Sequence, residues 1–240
     1  MSILSSDPQV VAQQLYTDSS IQQHTLGERV VTPDGRVFRY VKAGATALVP
    51  GTLQQAPVEI TNHQNLAPTA NVAIGATSFT VTLGATAVTA NQYAGGFVMI
   101  TTSTGAGYQY RIKSHPTAAL SATVTITLED PVLVAFVAAS SKVDLVLSPY
   151  SEVIINPTTA TSLPVGVAIY PITASYYGWI QTHGPAAVLA DGAVVVGTSL
   201  VASNGTAGAV EALAGVQAIV GIAQTGIATT EYGSVFLTLD

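Results

Sequence analysis

Six strand-length runs rich in β-branched residues and Thr occupy the middle of the chain and set the strongest limit on its fold. They are TSFTVTL (77–83), GGFVMITT (95–102), GYQYRIKS (107–114), ATVTITL (122–128), VLVAFV (132–137) and KVDLVLS (142–148). Turn residues separate them at short intervals, too short for crossover helices between parallel strands. The expected fold is therefore all-β, with antiparallel sandwich or barrel-like units and a short amino-terminal helical arm.

Composition narrows the function classes. Charged residues make up 8% of the 240, against roughly 25% in an average soluble domain. With 48% hydrophobic residues the chain has ample apolar surface to bury, which argues against charge-driven disorder. A net charge of -6 offers no electrostatic footprint for nucleic acid or an anionic membrane, so neither is expected as a partner. No apolar run exceeds eight residues, whereas a spanning helix needs about 20. The amino terminus, MSILSSDPQVV, has neither the basic nor the apolar region of a secretory signal, so no export signal is expected. Without cysteine, disulfides, iron–sulfur clusters and thiolate zinc are all excluded.

Residues 7–16, DPQVVAQQLY, read as a short helix in which Asp7 caps, Pro8 takes the first position, and Val11 and Leu15 share a face. The polar stretch to Gly27 has no period. Residues 1–27 are thus an expected arm, with Val11 and Leu15 seeking an apolar groove outside it because so short a helix does not persist alone. Next, ERVVT, PDG and RVFRYVKAG read as strand, turn and strand. Alternation puts Val37 and Val41 on one face and Phe38 and Tyr40 on the other, so both faces carry apolar groups. Either the hairpin lies inside its own sandwich, or a neighbouring subunit covers the second face. In the latter case Phe38 and Tyr40 are assembly contacts.

The last part contains an internal echo. VGVAIYPITASYYGWIQT (165–182) and VGIAQTGIATTEYGSVFLT (220–238) align at an offset of 55 residues, each reading as strand, turn, strand. A pseudo-symmetric β-domain or chance in a biased composition both explain it. The expected organisation is an arm (1–27), a hairpin with a first β-domain (28–148) and a second β-domain (149–240). All seven basic residues lie at or before Lys142, while 143–240 hold six acids and no base. A surface so poor in charge is weakly protected against association.

Reactive constellations are scarce. His24, His63, His115 and His183 lie far apart with no metal-ligand spacing, and read as surface or turn residues. No G-x-S-x-G string occurs. Glu129 and Asp130 are adjacent before Pro131 and face opposite ways on a strand. Ser103 to Gly107 read as a hairpin loop and Asn204-Gly205-Thr206 as a turn. No catalytic residue, metal ligand or cofactor is assigned. Tyr176, Tyr177 and Trp179, beside a turn, are either an exposed aromatic patch for a partner or sugar ring, or hairpin core.

The strings GRVFRYVKAGATALVPG (35–51), QYAGGFVMITTSTGAGYQYRIKSHP (92–116) and VGVAIYPITASYYGWIQTHGPAAVLADG (165–192) resemble structural proteins of tailed-bacteriophage virions. The short arm, Cys-free β-domains and small size are most similar to a capsid decoration, or cement, protein. The resemblance implies a non-enzymatic protein on the outside of the shell, made in the host cytoplasm. Its partners would be the major capsid protein and further copies of itself, most simply as a trimer on a local three-fold position. A head-fibre, tail or baseplate subunit with a host-binding face is the alternative, and a carbohydrate-active β-sandwich enzyme the third reading.

Overall fold

The computed structural model describes residues 12–240, so Val11 lies outside the described residues. The fold is all-β and antiparallel, and among the described residues helix is confined to two short 3-10 turns, Ala12–Tyr16 and Thr61–His63. The chain forms two compact units. One is Glu59–Ser148; the other joins the residues up to Val58 to Pro149–Asp240.

In the first of these, strands β4 (Ser78–Thr82), β5 (Phe97–Thr102), β6 (Gln109–Ser114), β7 (Thr123–Leu128) and β8 (Lys142–Val146) form a sheet in the order β4-β7-β6-β5-β8. Each follows the alternation written in its sequence: Phe79 and Val81, Val98 and Ile100, Val124 and Ile126 turn inward. Phe79 meets Phe136 edge-on at 5.2 Å. The run 132–137 makes no strand. Pro131 precedes it, the N–H groups of Leu133 and Val134 point to the Tyr110 hydroxyl at 3.2 and 3.3 Å, and only Phe136 bridges, to Val72.

The other unit holds β1 (Arg29–Val31), β2 (Val37–Lys42), β3 (Leu53–Gln55), β9 (Ile154–Ile155), β10 (Pro164–Ala168), β11 (Tyr177–Leu189), β12 (Ser199–Ala202), β13 (Val210–Ala212), β14 (Ile219–Ala223) and β15 (Tyr232–Thr238). The Pro33-Asp34-Gly35 turn closes β1 onto β2, with Gly35 at φ +85. This hairpin does not group with 59–148: β2 pairs with β11 from Tyr177↔Lys42 to His183↔Val37. The Glu59–Ser148 unit is accordingly an insertion in the chain between β3 and β9.

The sequence echo is a structural duplication. In the first copy Gln181 and Ile180 of β11 pair with Val167 and Ala168 of β10; in the second, Phe236 and Val235 of β15 pair with Ile222 and Ala223 of β14. Both pairings keep the offset of 55. On the other edge, Trp179↔Tyr40 corresponds to Ser234↔Ala187. Parallel bridges close both copies, Ala43–Val153 and Ala190–Val210. β11 therefore serves twice, its first half as the last strand of copy one and its second half as the first strand of copy two.

Each sheet edge turns through the same hook. A bridging residue is followed three positions later by a residue of left-handed backbone, as in Leu48 and Gly51 (φ +73), Ile172 and Ser175 (φ +64), Val194 and Gly197 (φ +83), Ile227 and Thr230 (φ +65). Hooks pair antiparallel: Leu48 with Ile172, Val194 with Ile227, and in the inserted unit Val88 with Ala118, while the Val72 hook pairs with Phe136, which is not followed by a left-handed residue. The turns place Gly, Asn or Ser at the left-handed position, where a Cβ is costly, with Thr230 the β-branched exception.

Candidate docking surface

On copy one, the outward face of β2 and the first half of β11 is covered by the arm. Leu15 packs into one cluster with Val30, Phe38, Tyr40 and Trp179, flanked by Leu26, Ile169 and Tyr177. The arm also pairs as a strand: Ser19 and Tyr177 exchange N–H to C=O bonds of 2.9 and 2.8 Å. Gln23 donates its N–H to the Tyr40 hydroxyl at 3.1 Å, and Thr173 donates its N–H to the Asp18 carboxylate at 2.9 Å. Burial raises the Tyr40 phenol above its ordinary pKa.

This arrangement relocates the residues singled out in the sequence. Phe38 and Tyr40, candidate assembly contacts if a neighbouring subunit covered the hairpin's second face, are 0% and 3% exposed inside this one. Trp179 is 2% exposed and meets Tyr40 edge-on at 5.0 Å, so it is core rather than part of an exposed aromatic patch. Tyr177 is half-buried beside them, and Tyr176 alone of the three stands open to solvent. Leu15 finds its groove on its own subunit. The reason is tethering: an apolar face beside its own arm sees that arm at a far higher effective concentration than any partner.

The corresponding face of copy two is uncovered among the described residues. It carries Pro185 and Ala187 of β11, Ile222 of β14, and Tyr232, Ser234 and Phe236 of β15. Not one is charged. Where copy one has the rings of Tyr40 and Trp179, copy two has Ala187 and Ser234, leaving an open depression lined by Pro185, Ala186, Ala187, Tyr232, Gly233 and Ser234. Further apolar groups stand at the hook tip, Val195 and Val196, and in the β13–β14 connection, Leu213 and Val216. The start of that connection is tied to β12, where Leu213 donates its N–H to the carbonyl of Ser199.

The groups with chemical potential are engaged in structure. His63 and His115 are buried rather than superficial, at 0% and 4% exposure. Nε2 of His63 faces the carbonyl of Thr86 at 2.8 Å and must donate, so Nδ1 accepts from the Tyr93 hydroxyl at 2.7 Å. Nε2 of His115 accepts the N–H of Tyr93 at 3.0 Å, which leaves Nδ1–H to donate to the carbonyl of Pro116 at 2.9 Å. The His115 ring is thus held neutral, and every nitrogen of both rings is used. Burial pushes the His115 pKa below its ordinary value, and burial raises the Tyr93 phenol. Among the described residues no three His, Asp or Glu side chains converge as a metal site would require. A sequence reading misses the two histidines because their partners lie 22 to 30 positions away.

No known family model matches the chain, and comparison with curated proteins and with solved structures finds no match.

Proposed function

We propose that this protein is a non-enzymatic virion component that binds the outside of a tailed-phage capsid shell and stabilises it, with several copies grouped by rotational symmetry. One observation carries the reading: large apolar side chains stand open at the Val194–Gly197 hook and in the β13–β14 connection of copy two, where Val195, Val196 and Val216 are 73%, 62% and 108% exposed. Protein surfaces seldom leave such side chains grouped in the open unless something covers them. A shell presents a broad fixed surface for that purpose, and local symmetry axes on it would close the copies into rings. The resemblance of 35–51, 92–116 and 165–192 to virion proteins points the same way.

Co-sedimentation with purified heads lacking tails tests this. Wild type is expected in the pellet at a fixed ratio to the shell protein. Val195→Asp with Val196→Asp, and separately Val216→Asp, should remain in the supernatant with an unchanged circular dichroism spectrum. Wild type left in the supernatant, or variants pelleting as wild type does, overturns the proposal. Binding to isolated tails instead of heads would establish the fibre or baseplate reading.

A further inference from the structure

The turn between β12 and β13 holds the chain's one Asn-Gly pair. Asn204 and Gly205 both stand open to solvent, while Ser203 before them is buried. The Ser203 hydroxyl donates to Oδ2 of Asp191 at 2.6 Å and accepts the N–H groups of Gly205 and Thr206 at 3.0 and 2.9 Å. One proton and two lone pairs are the whole capacity of a hydroxyl, so Ser203 is fully used. A Cβ on Gly205 would stand 2.5 Å from the same Asp191 oxygen, which puts the carboxylate directly beside that glycine. The far end of the turn staples the two copies together. Leu53 donates its N–H to the Gly208 carbonyl at 2.7 Å, and Gly208 donates its own to the carbonyl of Asn156 at 2.8 Å.

We infer that Asn204 is a modification site of this chain, losing its side-chain amide as ammonia by cyclising onto the Gly205 nitrogen, and that Ser203 and Asp191 hold the reaction back in the folded protein. The Gly205 nitrogen bonds to Cγ of Asn204, the Cγ–Nδ2 bond breaks, and the Gly205 proton passes through water to the departing ammonia. Water then opens the imide ring at either carbonyl, leaving an aspartyl or isoaspartyl residue in place of Asn204. The other asparagines precede His63, Leu66, Val72, Gln92 and Pro157. Four of these crowd the attacking nitrogen with a side chain and Pro157 has no N–H to lose, whereas glycine leaves the approach open. In the folded turn two things oppose the attack. The imide nitrogen carries no hydrogen, so cyclising forfeits the bond to Ser203. The nitrogen must also shed its proton beside the Asp191 carboxylate, where a second negative charge is repelled. Once formed, the new carboxylate shares the turn with Asp191, and the same repulsion loosens the Gly208 staple.

Peptide mass spectrometry of the full chain, held warm at neutral pH with and without urea, tests this independently of capsid binding. In urea Asn204 should convert ahead of every other asparagine, and severalfold faster than in the folded chain. Ser203→Ala should speed conversion in the folded chain about two- to tenfold, the worth of one hydrogen bond, and Asp191→Ala should do so too. Ser203→Thr keeps the hydroxyl and should stay as slow as wild type. In urea all of them should convert at one rate, which separates protection by the fold from any change in the peptide itself. Aged wild type should also show faster amide exchange at Leu53 and Gly208 in its modified fraction. Folded wild type converting as fast as in urea, both alanine variants no faster than wild type, or another asparagine leading in urea overturns the inference. The first and last of these need no variant, so they decide it even where a substitution prevents folding.

Discussion

A Cβ built on Gly233 would stand 2.3 Å from Cγ1 of Ile227. The same relation recurs fifty-five residues earlier, where a Cβ on Gly178 would lie 2.8 Å from Cδ1 of Ile172. Each isoleucine is the bridging residue of a hook, and its side chain folds back over the first turn of the following strand. The glycine is what lets the hook close.

Gly233→Ala should therefore destabilise the protein by about 1 to 3 kcal/mol, the usual cost of overpacking a filled core. Gly178→Ala should cost less, since its closest contact is the far end of the isoleucine side chain. Denaturant midpoints of the two variants check the order, and equal stability of Gly233→Ala and wild type would refute the packing account.

Thr230 holds φ +65 where the equivalent hooks use Gly197, Gly51 or Ser175. A β-branched residue is poorly suited to left-handed backbone, a state that costs L-residues about 1 to 2 kcal/mol. Thr230→Gly gives part of that back to chain entropy in the unfolded state. A net gain of about 0.5 to 1 kcal/mol is expected, read as a higher melting temperature.

Leu15, the arm's anchor on the sheet, is 2% exposed. Leu15→Ala should cost about 2 to 5 kcal/mol, as other core truncations do. Phe38→Asp with Tyr40→Asp should unfold the unit formed with Pro149–Asp240 rather than release folded subunits from one another, because it buries two carboxylates in that core. Light scattering together with near-ultraviolet circular dichroism distinguishes the outcomes; folded monomers would place these two aromatics back at an interface.

Two groups set separate acid limits. His115 has a folded pKa below its ordinary value of 6.5, lowered first by burial. The unfolded chain then binds the extra proton, so this contribution is full above about pH 6.5 and declines as the pH falls below it. Asp240 is lowered chiefly by the hydrogen bond from Arg39, whose Nε and Nη2 donate to its two oxygens at 2.8 and 2.7 Å. Its contribution holds above the ordinary carboxylate range and is lost as the pH falls through and below that range. Denaturation midpoints from pH 8 to 3 should show both steps, with Asp240→Asn reducing the lower one, which Asp18 and Asp34 share, and His115→Asn flattening the upper.

All five strands of the central unit were legible because each carries period-two burial in a single short run, as Phe79, Val81 and Val124, Ile126 do, while the sixth run, 132–137, makes no strand. The hairpin was legible from Pro33-Asp34-Gly35, three residues with a turn chemistry of their own. The echo at 55 residues was visible, but its meaning needed the paired registers Trp179↔Tyr40 and Ser234↔Ala187. The grouping of the hairpin with the carboxy-terminal part was not legible, since it rests on β2 finding β11 across more than a hundred residues. Leu15 was readable as an apolar residue in search of a groove; that the groove lies on its own subunit follows from the aromatic face of Tyr40 and Trp179, which alternation alone leaves open to either partner.

The insertion between β3 and β9 gives this protein a fixed order of assembly on the ribosome. The Glu59–Ser148 unit is continuous in the chain and has all its strands as soon as it is synthesised. β2 comes out earlier with only β1 beside it until β11 follows, and β3 has no partner until β9 and β10 follow, so at about 5 to 20 residues per second both wait several seconds with open edges. The part of the molecule begun first is thus the part finished last, and a fragment stopped at Ser148 would hold one folded body trailing an unpaired hairpin.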